Sequence, residues 1–228
     1  HLGTNNIDHR ITRRDFADHD NDPLFPWLGC EIADVEKQDA IFVVGSNIRR
    51  EAPILAHRIR KAAVAGAAVS FANGSEYEYF FDVADYLSGD GLVRTLAAVQ
   101  VAAADGKALP DHLADVCKGV KATDAHQRIA ASLRENDDTL VLLGQIGLRH
   151  AAFSAVSGLA AGIAVLRGAN LGMISEGPNS TGAHLAGLLP HRTQGGENRD
   201  ETGLDVAAIL STPMDAVVLV NVEPDADI

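Results

Sequence analysis

Cysteine is almost missing from this sequence: Cys30 and Cys117 are the only two, far apart and in no C-x-x-C pair. An ordinary iron–sulfur cluster takes four thiolates, and a zinc ribbon or thioredoxin-type couple takes paired ones, so this stretch supplies none of these by itself. Both thiols are expected to be reduced and buried as small apolar side chains. Basic charge is scarce as well, with 19 Lys and Arg against 31 Asp and Glu and a formal charge of -12. A surface of that sign repels phosphates and speaks against DNA or RNA as a partner. No apolar run is long enough to suggest a membrane span. HAAFSAVSGLAAGIAVL, the best candidate, is diluted by Ala, Ser and Gly and reads as a buried helix. No signal-peptide pattern is recognisable.

Nucleotide and hydrolase fingerprints are also lacking: there is no G-x-G-x-x-G, no G-x-x-x-x-G-K-[ST], no G-x-S-x-G and no H-E-x-x-H. What the chain does have is apolar content of 46% over 228 residues, enough for a sizeable core. Strand-like and helix-like segments alternate along it. AIFVVGSN (40–47) is a continuously apolar strand, followed by a helix with Pro53 in its first turn and Gly66 at its stop. AAVSFANG (67–74) is a second strand, and 90–106 a helix for which Asp90 is the candidate cap. A helix over 123–136, a strand over 138–144, a long apolar helix over 149–168 and strands near 171–175 and 215–222 complete the series. Fully apolar strands joined by helices specify an open, mainly parallel α/β sheet with helices on both faces, expected as one domain over 1–228.

In such sheets ligands sit beyond the carboxyl ends of the strands. Gly45, Ser46 and Asn47 follow the best strand, where glycine permits close backbone approach and Ser and Asn can bond a phosphate or ribose; plain helix capping explains the same residues. FANG (71–74) and GQIGLRH (144–150) occupy the equivalent places after their strands. His57, His112 and His126 fall on helical stretches and read as solvated faces. His150, His184 and His191 lie near element ends, with a satisfied structural role favoured for each. Arg49, Arg50, His57, Arg58, Arg60 and Lys61 form a basic cluster that could dock a partner or an anion, with a solvated helix face the favoured reading. The acidic, aromatic stretch 75–91 suits either an ordered lobe or a mobile insertion against a partner.

Three stretches carry a family resemblance. GTNNIDHR (3–10), DAIFVVGSNIRREAPILAHRIRKAAVAGAAVS (39–70) and ANLGMISEGPNSTGAHLAGLLPHR (169–192) resemble, in order, segments of the molybdopterin oxidoreductase superfamily, whose members include formate dehydrogenase. Within it, NNIDHR (5–10), FPWLG (25–29), ADVEKQDAIFVVGSNIRREAPILAHRIRKA (33–62), GPNSTGAHLAGLLPHR (177–192) and VLVNVEPDADI (218–228) are most similar to the family of large iron–sulfur subunits of bacterial NADH:quinone oxidoreductase, respiratory complex I. The resemblance implies a fragment of a larger subunit, without the N-terminal iron–sulfur region, packed among other subunits of the peripheral arm on the cytoplasmic face of the inner membrane. It also implies Asn5, Asn6, Gly45, Ser46, Asn47 and Asn179 as vestigial pterin-site positions.

Departures from the active enzymes point to lost chemistry. Where those relatives place a Cys or selenocysteine ligand, this chain reads ITRRDFADHD (11–20); Arg13 and Arg14 stay protonated and cannot ligate a metal, while Asp15 could supply a carboxylate in its place. Pro178 removes a backbone donor from the turn at 177–180. The expectation is therefore no catalytic residue, no metal and no cofactor in this chain, with iron–sulfur clusters only in the full-length subunit. A working molybdopterin oxidoreductase domain, with Asp15 at the metal, and a small-nucleotide-binding α/β module are the alternatives.

Overall fold

The computed structural model describes residues 3–227, with only the backbone of the last two. The chain divides into two compact units: Trp27–Ile174, and a second made of the described residues up to Pro26 together with those from Ser175 onward.

In Trp27–Ile174 the sheet has five strands, β1 (Ala40–Val44), β2 (Ala68–Ala72), β3 (Asp85–Leu87), β4 (Thr139–Leu143) and β5 (Asn170–Met173). They run parallel in the order β3-β2-β1-β4-β5, with Val43 opposite Phe71 on one side and Leu142 on the other. The expected open parallel α/β sheet is thus present. β1 and β4 are buried at all five positions, which is why neither shows an alternating pattern.

The helices of this unit are α1 (Ile48–Glu51), α2 (Pro53–Val64), α3 (Leu92–Ala104), α4 (Asp111–Cys117), α5 (Asp124–Glu135), α6 (Gln145–Leu148) and α7 (Phe153–Arg167). Phe42, Val44, Val141, Leu143 and Met173 point to one face, against α3, α5 and α7. Ile41, Val43, Val69, Phe71, Leu140 and Leu142 point to the other, against Leu55, Ile59 and Ala62 of α2. The period of two in strand side chains thus divides one run of sequence between two cores. α7 approaches α3 closely at Gly162, where a Cβ would lie 2.7 Å from Leu113 and 2.8 Å from the Gln100 side chain.

The stretch after β2 is an ordered cover for the second face. Tyr79 stacks on Phe71 at 4.2 Å, and the Tyr86 hydroxyl accepts from Asn73 Nδ2 and donates to Ser75 O. The basic cluster is largely paired: Arg58 and Lys61 both reach Glu36, Arg49 donates to Glu78 O and lies over Phe80, and Arg60 donates to Phe80 O. At the far side of the sheet, the outward amide of Met173 donates to Trp27 O at 2.7 Å. A Cβ on Gly172 would meet Leu28 O, so the 27–29 segment lies tight along β5.

Several expectations change. The Val-rich run 215–222 forms no strand; Val218 and Val220 are 74% and 79% exposed and find no ladder partner among the described residues. Strand propensity needs a neighbouring edge to act on, and this run pairs with none among the described residues. Helix α3 starts after Gly91, and Asp90 makes no side-chain cap. His126 is buried, accepting the Thr123 amide in a capping box that starts α5. Cys117 is buried as expected, whereas Cys30 is only half-buried.

The second unit contains α8 (Ser180–Leu185), α9 (Val206–Ser211) and α10 (Pro224–Asp227), joined by turns and loops. Side-chain hydrogen bonds tie residues near its start to residues near 187–204. Asn5 Nδ2 donates to Glu201 O, Asn6 Oδ1 accepts from Leu204 N, and Arg199 bridges Asn5 Oδ1 to Gly187 O and Leu189 O.

Candidate functional site

The β1–β4 junction is where the strand order reverses, the point at which α/β sheets open a ligand crevice. Gly45, at φ +61°, brings the backbone of β1's exit onto Gly147; a Cβ there would lie 2.5 Å from Gly147 N. Gly147 N donates to Gly45 O and Gly45 N to Ala72 O. Ser46 N donates to the Asn73 side-chain oxygen at 2.7 Å. The remaining donors converge on one carboxylate. Glu51 Oε1 accepts the Asn47 amide at 2.8 Å, and Oε2 accepts both the Ser46 hydroxyl at 2.7 Å and the Gln145 amide at 3.0 Å.

Glu51 therefore takes the place that an anionic ligand would take, and it does so from inside the chain. A phosphate or pyrophosphate brought to the same donors would compete with a carboxylate already bonded. At ~4 Å, two like charges repel by about 4 kcal/mol in a medium of effective dielectric ~20. The residues present at this junction do not fit the phosphate arm of a pterin dinucleotide. Gly45, Ser46 and Asn47 stand out in the sequence, whereas Glu51 does not. The available signal is an acidic residue four positions after Asn47, close enough to reach back over the first turn.

The other pterin-type positions lie in the second unit. Asn5 and Asn6 hold residues 201–204 through their side-chain amides. Asn179 precedes α8 and packs on Gly182, while the turn before it is closed by Ser180 Oγ on Gly177 N at 3.0 Å. Asp15 Oδ1 accepts the Ala17 amide, and its carbonyl accepts Arg13 Nε. The thiols are not poised as ligands: burial raises the pKa of both Cys30 and Cys117, and the Asp34 charge adds to the effect at Cys30.

Four histidines of this unit form two pairs, His9 with His184 and His19 with His191. Ser180 O lies 2.9 Å from His184 Nδ1, and a carbonyl can only accept, so Nδ1 carries a proton. The same atom lies 3.0 Å from His9 Nε2, which is thereby the acceptor. Burial, then the neighbouring His184 and Arg10, hold the pKa of His9 down to about 4, against an opposing pull from Asp8. His191 is likewise pushed to about 4, by burial and by the His19, Arg10 and Arg192 neighbours. Around them Arg10 clasps Asp8 through two 2.8 Å bonds, Arg13 pairs with Asp22, and both guanidiniums lie over Phe16.

Residues 17–90 match the family model for molybdopterin oxidoreductase. That match runs through β1, α1, α2, β2 and β3 and so includes Gly45, Ser46, Asn47 and Glu51. It covers the second of the three stretches that carry the resemblance. No curated protein matches the chain. Among solved structures the chain is similar to one in the formyltransferase/hydrolase complex of Methylorubrum extorquens with methylofuran, at 14% identity and a TM-score of 0.48. The alignment covers 73% of this chain and 46% of that one. No helix among the described residues is long and apolar enough to cross a membrane.

Proposed function

We propose that this chain is a redox-inactive, molybdopterin oxidoreductase-like scaffold domain within the large iron–sulfur subunit of a bacterial NADH:quinone oxidoreductase. The observation that carries the loss of chemistry is Glu51, whose carboxylate consumes the Ser46, Asn47 and Gln145 donors at the sheet's switch point. The assignment to that subunit rests on the sequence resemblance over 5–10, 25–29, 33–62, 177–192 and 218–228, for which the family match over 17–90 supports the coarser molybdopterin oxidoreductase part. In this reading the domain packs against other peripheral-arm subunits at the cytoplasmic face of the inner membrane. Electrons from NADH pass to quinone through clusters held elsewhere, and the domain itself binds no pterin.

Elemental analysis of the protein purified from cells given molybdate and tungstate tests the chemistry. Molybdenum and tungsten far below one atom per chain are expected, and a stoichiometric content of either establishes the working-oxidoreductase alternative. Affinity purification of the native complex tests the placement. Co-isolation with NADH-oxidising, quinone-reducing activity supports it, and isolation with formate- or other small-substrate-oxidising activity overturns it.

A further inference from the structure

His19 and His191 come from distant parts of the sequence and meet with ring centroids 4.4 Å apart and planes tilted by 31°. His191 is 4% exposed, yet among the described residues neither of its ring nitrogens has a hydrogen-bond partner, nor does His19 Nδ1. Buried polar atoms are nearly always paired, and leaving one unpaired costs about 1–3 kcal/mol. Three such atoms in one pair of rings call for a ligand. Asp20 completes the group: one ring nitrogen from each histidine and one Asp20 oxygen all lie within 4.8 Å of one another. His19 Nε2 is 3.7 Å from Asp20 Oδ1.

We propose that His19, Asp20 and His191 form a binding site for one divalent transition-metal ion, Zn2+ being the best fit. Two imidazoles and a carboxylate are the three-ligand set with which proteins hold zinc while leaving a fourth position to water. Bonds of ~2.0–2.1 Å in a tetrahedron put ligand atoms roughly 3.4 Å apart, so the group has to contract modestly on binding. The Asp20 side chain, 78% exposed, has the freedom to supply that movement.

The surroundings hold the two rings in place without the ion. Arg192, next to His191, donates to Asp20 O, Asp22 O and Pro23 O, tying its strand of chain to the loop that carries His19. Bonds of this kind to the segments bearing the ligands are what orient a metal site. Charge is balanced before an ion arrives: Arg10 and Arg13 are paired with Asp8 and Asp22, and Arg192 faces carbonyls, leaving Asp20 as the anionic ligand. The site is chemically separate from the pterin question, because it uses no thiolate and no residue of the β1–β4 junction.

The test is titration of the metal-free purified protein with ZnCl2 by calorimetry, and with CoCl2 followed by visible absorption. One Zn2+ per chain is expected, with a four- or five-coordinate Co2+ spectrum lacking the intense sulfur charge-transfer band that Cys30 would contribute. Asp20→Asn, on an exposed side chain, is expected to fold normally and lose affinity about 10–100-fold; His19→Ala and His191→Gln are expected to lose at least as much. Absence of saturable binding overturns the site, as does affinity unchanged in Asp20→Asn and His19→Ala with wild-type circular dichroism, which would place the ion elsewhere. These outcomes are independent of the molybdenum analysis, so the scaffold reading and the zinc site can fail separately.

Discussion

Glu51 and Gln145, 94 residues apart in sequence, are joined by a 3.0 Å hydrogen bond from the Gln145 amide to the Glu51 carboxylate. That bond links the exits of two adjacent parallel strands, and it turns what is a ligand cradle in related architectures into an internal clasp.

Removing the clasp exposes the cradle. Glu51→Ala frees the Asn47 and Gln145 amides and the Ser46 hydroxyl at once, and is expected to lower stability by about 2–3 kcal/mol, within the usual range for charge-assisted hydrogen bonds. Because the freed donors suit an anion, millimolar phosphate or sulfate is expected to raise the melting temperature of the variant but not of the parent. Thermal denaturation with chloride as the reference salt reads the difference. An equal response of both proteins removes the cradle interpretation.

Gly45 allows no side chain. Its φ of +61° disfavours any L-residue, and a Cβ would lie 2.5 Å from Gly147 N, a backbone atom that has little room to move. Gly45→Ala is expected to cost about 2–4 kcal/mol. Gly74→Ala, with nothing within 4 Å of the new Cβ, is the control and should stay within about 0.5 kcal/mol. Urea midpoints at constant m report both.

Acid should weaken the second unit through its histidines. His9 is held neutral in the folded chain, with its pKa down at about 4 against the usual 6.5. Between those values the unfolded chain binds the proton and the folded chain does not, so stability is complete above pH 6.5 and falls as the pH drops toward 4. The slope is at most about 1.4 kcal/mol per pH unit for each such histidine, and less where water reaches the ring. His9→Gln should flatten that part of the pH–stability curve. An unchanged curve rules out the His9–His184 pair as its source.

The Asp8–Arg10 clasp is a different case. Burial alone would raise the Asp8 pKa, but the hydrogen bonds and charge of Arg10 outweigh it and leave the carboxyl below its usual range. Stability from this pair is present above the ordinary carboxyl pKa and is lost as pH falls through the lowered value. Arg10→Met strands a buried carboxylate and is expected to cost about 3–5 kcal/mol, whereas the double variant with Asp8→Leu should recover much of that. A double-mutant cycle by chemical denaturation gives the coupling.

How much of this is legible in the sequence? β1 and β4 are plain because both faces are buried, so nearly every residue has to be apolar. β3 is not, since three residues, Asp-Tyr-Leu, amid acidic and aromatic neighbours carry no period to read. The run at 215–222 misleads for the opposite reason: its β-branched residues favour an extended backbone, but pairing depends on an edge that local sequence cannot disclose. Around the junction, Gly45, Ser46 and Asn47 are visible as a strand exit, while Glu51 looks like one more charge on a helix. Its role follows from the loop after β4, distant in sequence. The His19–His191 pair is invisible for the same reason. Metal motifs are recognised by short spacing, and these two rings are brought together only by the fold.

The amide of Met173 already has its partner in Trp27 O, and Gly172 is covered by Leu28, so the β5 side of the sheet presents no continuous open ladder to a neighbouring molecule. An apolar parallel sheet left bare there would invite templated stacking during synthesis and assembly. A short piece of irregular chain is enough to cap it, which makes Trp27–Gly29 the guard against polymerisation from that margin.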